Sequence, residues 1–431
     1  MPDLNLAVWL LFGVFALLLI LRVPISISLI LSSIVTAFYL KIPLLIISQS
    51  MVKGVESFSL LAIPFFIISG EMMGAGGISR RLIEFSNIFV GRIRGGLAQV
   101  NVLTSMFFGG ISGSAVADVS SEGSIIIPAM KLQGYDDDFS VAITVTSACQ
   151  GVIIPPSHNM IIYSMAAGGV SVGSLFLAGV IPGIMLGISL MILCYILAVK
   201  RGYPKGAKVT LKDSVKIARD SVLGLFTIVI IMGGVLTGVF TATESAAIAA
   251  VYAFIITFFV YREIPLSRMK QVLFNTIKTL AMVMTLISTA SAFGYLMAYL
   301  KVPTMATEAL LSISHNKFVV LLLINILLLI LGCVMDMAPV IVITTPILMP
   351  VLMAIGVSPI HFGIVMMLNL AIGLCTPPVG SALFVGCAIG KISIEKVTKA
   401  LLPFYLAMVI VLLLITYIPD IVLFLPNLII K

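Results

Sequence analysis

Two stretches of this sequence interrupt an apolar chain with the same small set of residues. Cys149-Gln150-Gly151-Val152-Ile153-Ile154-Pro155-Pro156-Ser157 and Ala371-Ile372-Gly373-Leu374-Cys375-Thr376-Pro377-Pro378-Val379 each place a Pro-Pro pair shortly after a glycine. Consecutive prolines remove two amide donors, and the first forces the residue before it away from helical angles. Backbone carbonyls are left without helical partners. In hydrocarbon each such group costs several kcal/mol unless it lines a cavity or holds an ion. A hard cation such as sodium prefers oxygen ligands, and the hydroxyls of Ser112, Ser114 and Thr376 and the carboxylate of Asp336 add to the same supply. The chemistry these residues offer is cation ligation.

The elements that position them must be membrane helices. Of 431 residues 61% are hydrophobic and 10% charged, against about 25% charged in a soluble chain. Apolar runs long enough to cross a bilayer recur along the sequence, as at 8–21, 180–199 and 401–418. The first lacks the basic leader and small-residue cleavage site of a signal peptide and reads as a retained span. The net charge of +8 does not point to nucleic acid, because the basic residues sit in short segments between apolar runs. If the N-terminus is periplasmic, only Lys41, Lys53, Lys301, Lys317 and Lys431 fall outside, leaving 20 of the 25 basic residues, Lys208 of the linker among them, in the cytoplasm. This sorting requires the segments 95–130 and 318–350 to enter and leave on one side as re-entrant hairpins. Gly109, Gly110, Ser112, Gly113 and Ser114 interrupt the first, and Gly332, Asp336 and Pro339 the second. The expectation is an all-α polytopic protein with about ten transmembrane helices, two hairpins and both termini periplasmic.

A duplication underlies this pattern. Ile127-Pro128 aligns with Met349-Pro350, Gly134 with Gly356, Pro155-Pro156 with Pro377-Pro378 and Gly168 with Gly390, all at an offset of 222 residues. The expected first repeat spans 1–200, with a hairpin at 95–130 and a broken helix at 139–168. A basic linker, 201–220, leads to a second repeat at 221–431, with a hairpin at 318–350 and a broken helix at 360–390. An odd number of crossings per half makes the repeats inverted, which points to a secondary transporter with its site near the midplane.

Charges inside apolar segments are functional by default. Asp118 and Asp336 are read that way, while Glu71 and Glu244, near span ends, read as interfacial or structural pairing. His158, with Ser157 and Asn159, follows the first Pro-Pro break and could face a solute, as could Ser381 at the corresponding place in the second half. The three histidines are dispersed and suggest no metal. The five cysteines lie singly in apolar segments and read as packing residues.

The run Phe108-Gly109-Gly110-Ile111-Ser112-Gly113-Ser114-Ala115-Val116-Ala117-Asp118, together with both Pro-Pro breaks, resembles the large membrane (M) subunit of tripartite ATP-independent periplasmic (TRAP) transporters over essentially the whole chain. The resemblance implies an elevator mechanism and sodium as the coupling ion, with no other cofactor. It implies a periplasmic substrate-binding protein that delivers a small organic anion of the sialic acid or C4-dicarboxylate class, and a four-span membrane (Q) subunit expected as a separate chain, in the lipids of a bacterial inner membrane. One sodium site would then use Ser112, Ser114, Gly151, Ile154 and Pro156, and the other Gly332, Asp336, Gly373, Thr376 and Pro378.

The main alternative is a single-component sodium-carboxylate symporter of the divalent-anion type, but its Ser-Asn-Thr hairpin motifs do not occur. A membrane enzyme acting on lipid phosphates would need clustered carboxylates; Asp136-Asp137-Asp138 lacks supporting His or Asn and reads as a solvated cytoplasmic turn. A nucleotide-driven pump is disfavoured because no G-x-x-x-x-G-K-[ST] is present.

Overall fold

The computed structural model describes residues 3–206 and 209–429. Lys208 and Lys431, two of the basic residues used to sort the topology, lie outside the described residues. Among the described residues eight helices are long and apolar enough to cross a membrane, including Val172–Arg201, Leu266–Tyr299 and Ile394–Tyr417. A ninth span arises if the bent pair Asp137–Ile153 and His158–Ala166 is counted as one. Among the described residues there is no strand beyond a single bridge between Arg94 and Lys205. The protein is all-α and polytopic.

The segment expected as the first hairpin begins with the helix Gly96–Ser112, which ends on Gly113 in the left-handed conformation, φ +62°. Glycine enters that region without a Cβ penalty. The Ser114 hydroxyl then caps the helix Ala115–Ser121, which leads into Gly123–Leu132. Ser105 donates to Glu122 at 2.9 Å and Asn101 contacts the Met130 sulfur at 3.9 Å. Partner numbers rise as the others fall, so the two arms run antiparallel.

The second hairpin joins Lys317–Val334 to Met337–Ala354 through extended Met335 and Asp336, with Lys317 reaching the Gly356 carbonyl at 3.3 Å across its open end. Of the three residues expected to break this segment, only Asp336 does so. Gly332 continues the first helix, and Pro339 sits in the first turn of the second, where its missing N–H would have had no helical partner.

Each hairpin lies against its own broken helix. The first broken helix bends by 50° between Asp137–Ile153 and His158–Ala166, with Ile154 extended at φ −74° and ψ 124°, the region its following proline requires. The second comprises Pro359–Leu374 and Ser381–Gly390. The crossings are made by glycines in both halves. A Cβ built on Gly109 would lie 2.3 Å from Gly151 Cα, and one built on Gly373 would lie 2.6 Å from the Gly332 carbonyl carbon. Polar cross-links recur beside them: Ser147 donates to Asn101 at 2.9 Å, and Asn369 to Asn325 at 2.9 Å.

The halves interlock. His158–Ala166 packs on the second hairpin's Met337–Ala354, and Ser381–Gly390 packs on Ala115–Ser121, Gly123–Leu132 and Asp137–Ala148. Lys131 Nζ donates to the Gly390 carbonyl at 2.6 Å and Tyr163 to that of Pro359 at 2.6 Å. Phe58–Ala75, Ala242–Val260, Leu266–Tyr299 and the N-terminal helices form a second group that packs largely among itself.

The span expected as a linker is helical from Leu211 onward. The described residues between Arg201 and Leu211 are tied to the base of the first hairpin, where Gly95 donates to the Pro204 carbonyl at 3.0 Å and Arg92 to that of Val209 at 3.0 Å.

Candidate functional site

Both hairpin tips reach the breaks. The Gly113 backbone lies so close to the first break that a Cβ there would stand 2.8 Å from the Pro156 carbonyl oxygen. At the second, the Val379 amide donates to the Cys333 carbonyl at 3.1 Å, and Ser381 donates to Asp336 at 3.3 Å.

A cavity of about 830 Å³ opens in front of these tips. Of the residues expected from sequence, Ser112, Ser114, His158, Asn159, Asp336 and Ser381 line it. His158 and Ser381 begin the second halves of the broken helices, whose N-terminal ends carry partial positive charge. The rest of the lining comes largely from Ile25–Leu40, Phe58–Ala75 and Leu266–Tyr299 and includes Ser26, Glu71, Asn275 and Thr279, with Phe58–Ala75 packed on the first tip at Gly70, where a Cβ would stand 3.3 Å from Ser112 Cα. Sequence reasoning left these four out of the site. Ser26, Asn275 and Thr279 carry no charge and lie in ordinary amphipathic surroundings, and Glu71 reads as a span end.

Other expected site residues lie behind this surface. Gly151 and Pro156 are buried and Ile154 half-buried. Ser157 is fully buried, with no hydrogen-bond partner for its hydroxyl among the described residues. Gly332 and Gly373 face each other. Thr376 turns its hydroxyl back to the Ile372 carbonyl at 2.7 Å, and Pro378 is exposed.

Asp118, expected beside the solute, is not in the cavity wall. Val116 and Ser120 line the cavity, and a helical residue two positions from each points to the opposite side. Asp118 is therefore buried, and neither carboxylate oxygen has a hydrogen-bond partner among the described residues. Tyr405 was missed altogether: its hydroxyl donates to the Cys375 carbonyl, one of those the second break exposes, at 2.6 Å.

The acidic triplet is not simply solvated. Tyr203 donates to Asp136 at 2.6 Å and Arg201 at 2.8 Å, Arg201 also lies 3.7 Å from Asp138, and Lys131 pairs with Asp137 at 3.2 Å. The Tyr203 hydrogen bond, with Arg201 beside it, holds the Asp136 carboxyl below its ordinary range. Glu244 completes a capping box with Thr241, a structural pairing.

This arrangement coincides with a known family. A family model described as "Tripartite ATP-independent periplasmic transporter, DctM component" matches residues 12–421. The chain belongs to that family. The Salmonella typhimurium protein YgiK is 45% identical over 97% of each chain. The C4-dicarboxylate TRAP transporter large permease protein DctM of Rhodobacter capsulatus is 38% identical, over 97% of this chain and 98% of its own. The isethionate TRAP transporter permease protein DctMQ of Oleidesulfovibrio alaskensis is 42% identical over 96% of this chain, which spans 65% of that longer protein. Among solved structures, the Alcanivorax borkumensis YdaH transporter shares the fold at a TM-score of 0.62, with 13% identity over 85% of this chain and 86% of its own. As a DctM component, the protein is a multi-pass membrane subunit of a bacterial TRAP transporter.

Proposed function

We propose that this DctM component carries a small organic anion inward across the bacterial inner membrane, driven by sodium. A periplasmic binding protein delivers the solute and a small four-span subunit accompanies the chain. The observation that carries this reading is the meeting of both hairpin tips with both breaks at one cavity. Ser112 and Ser114 with Gly151, Ile154 and Pro156 offer one set of oxygens to sodium. Gly332 and Asp336 with Gly373, Thr376 and Pro378 offer the other. The relatives named for isethionate and for C4-dicarboxylates support an organic anion, and the C4-dicarboxylate and sialic acid classes remain the ones proposed. Two helix N-termini at the tips suit an anionic group.

The two halves are best read as inverted repeats. The Cys149 thiol donates to the carbonyl of Ala371 at 3.1 Å, its own counterpart 222 residues on, and a residue that touches its counterpart lies on the axis relating two copies. Hairpins and broken helices would then move as one body against the remaining helices, with both termini periplasmic.

The test is uptake into proteoliposomes holding this chain, the small subunit and a loaded binding protein, with and without an inward sodium gradient. Uptake should require both the gradient and the binding protein, and Ser112→Ala and Asp336→Ala should each raise the sodium concentration for half-maximal rate. Uptake that ignores sodium would refute the coupling. Uptake without the binding protein would favour a single-component symporter.

A further inference from the structure

The cavity is an odd place for an anion. Its lining holds two carboxylates, Glu71 and Asp336, and one imidazole, His158, and among the described residues lining it there is no lysine or arginine. Asp336 belongs to the tip of the second hairpin, where the proposed sodium would sit and offset its charge. Glu71 does not. It belongs to Phe58–Ala75, outside both hairpins, and is held by the amide of Asn275, whose Nδ2 donates to Oε2 at 3.4 Å. Among the described residues no Lys, Arg or His lies within ion-pair distance of it.

The residues lining the cavity from the tips and those from the other helices therefore differ in polarity. The tip side carries serine hydroxyls, the His158 ring and two helix N-termini, all able to receive an anionic group. The other helices contribute a carboxylate without an ion-pair partner, the hydroxyls of Ser26 and Thr279, and apolar Ile67, Met282 and Leu286. An ionised carboxylate only accepts hydrogen bonds. It attracts a hydroxyl or ammonium and repels a second carboxylate, and repulsion of the wrong ligand separates solutes as effectively as contact with the right one.

Building on the transport reading above, we propose that Glu71 is a specificity determinant. It selects solutes that combine one anionic group, received by the hairpin tips, with a hydrogen-bond donor in place of a second carboxylate, and it rejects dianions. Within the classes proposed above, this favours hydroxylated monoanions over simple C4-dicarboxylates.

The clean probes are 4-hydroxybutyrate and succinate, which share a four-carbon backbone and differ at one end. Thermal stabilisation of the purified membrane complex, titrated with each probe in saturating sodium, gives two apparent affinities. The wild type should prefer 4-hydroxybutyrate by at least about tenfold, a modest share of the repulsion between two unit charges a few ångströms apart in a partly screened site. Glu71→Gln keeps an acceptor for Asn275 and adds a donor, so the preference should collapse or reverse towards succinate. Glu244→Gln, outside the cavity, should leave it unchanged. Equal preference in wild type and Glu71→Gln overturns the proposal, as does a wild type that prefers succinate or is stabilised by neither probe. Sodium-driven uptake measured alongside separates the outcomes: uptake that persists while selectivity ignores Glu71 removes this inference alone, whereas loss of sodium-dependent, binding-protein-dependent uptake in the wild type removes the transport reading.

Discussion

Alanine at the glycine crossings puts the packing of the site to a direct test. A Cβ on Gly109 would lie 2.3 Å from Gly151 Cα, and one on Gly373 would lie 2.6 Å from the carbonyl carbon and oxygen of Gly332. Carbon atoms at contact stand about 3.5–4.0 Å apart, so each substitution demands that two backbones separate by roughly 1 Å. Backbone has no rotamer with which to yield. Overpacking costs about 1–3 kcal/mol and alanine returns about 1 kcal/mol of helix propensity, leaving a net loss of up to about 2 kcal/mol at each crossing. Gly294, inside Met269–Tyr299, supplies the control, because a Cβ there meets nothing within 4 Å. Its alanine variant should gain up to about 1 kcal/mol. The gap of about 1–3 kcal/mol between Gly373→Ala and Gly294→Ala is measurable by unfolding the purified protein in mixed detergents, with sodium activation of uptake read in parallel. Gly109→Ala and Gly373→Ala variants as stable as Gly294→Ala, with normal sodium activation, would show that the hairpins and broken helices are not in close backbone contact.

Three further outcomes are expected. Tyr405→Phe removes the donor to the Cys375 carbonyl and should cost about 1 kcal/mol, together with a weaker response to sodium, because the freed carbonyl belongs to the second break. Asn369→Ala should lose about 1–3 kcal/mol by stranding Asn325, and the double variant with Asn325→Ala should lose less than the sum of the two, measured by the same unfolding assay. For Asp136, whose folded-state carboxyl is held below its ordinary value of about 3.8 chiefly by Tyr203, the sign is that of a depressed acid. Its contribution is present above that value and lost as pH falls through the lower folded value. The melting temperature of the wild type should therefore exceed that of Asp136→Asn from neutral pH down to about 5, and the two should converge below about 4.

Much of the positioning apparatus can be read in the sequence because helix breakers are conspicuous in apolar surroundings. Gly113, Ser114 and the two Pro-Pro pairs interrupt apolar runs, and the repetition of the Pro-Pro pairs at one offset ties the two breaks together. Gly332 and Pro339 carry the same letters but do something else: one clears space for Gly373 and the other occupies a first turn, and composition alone does not separate these uses. Asp118 shows a second limit. Its distance along the chain from Ser114 is short, but helical rotation turns it away from the cavity. Glu71 shows a third, since it lies 204 residues from the Asn275 that contacts it and the two are joined only by tertiary packing, for which a single sequence has no periodic signal.

The interlocking of the halves bears on how the protein is made. Lys131 bonds to Gly390, 259 residues later, and the surface of Ala115–Leu132 is covered by Ser381–Gly390. At about 5–20 residues per second of synthesis, the first hairpin waits roughly 10–50 s for its partner to leave the ribosome. Through that interval a polar, glycine-rich loop must be kept from lipid by the insertion machinery or by provisional contacts within the nascent chain. A chain truncated between the two halves would leave the surface of Ala115–Leu132 without the cover of Ser381–Gly390 and is expected to be cleared by membrane proteolysis.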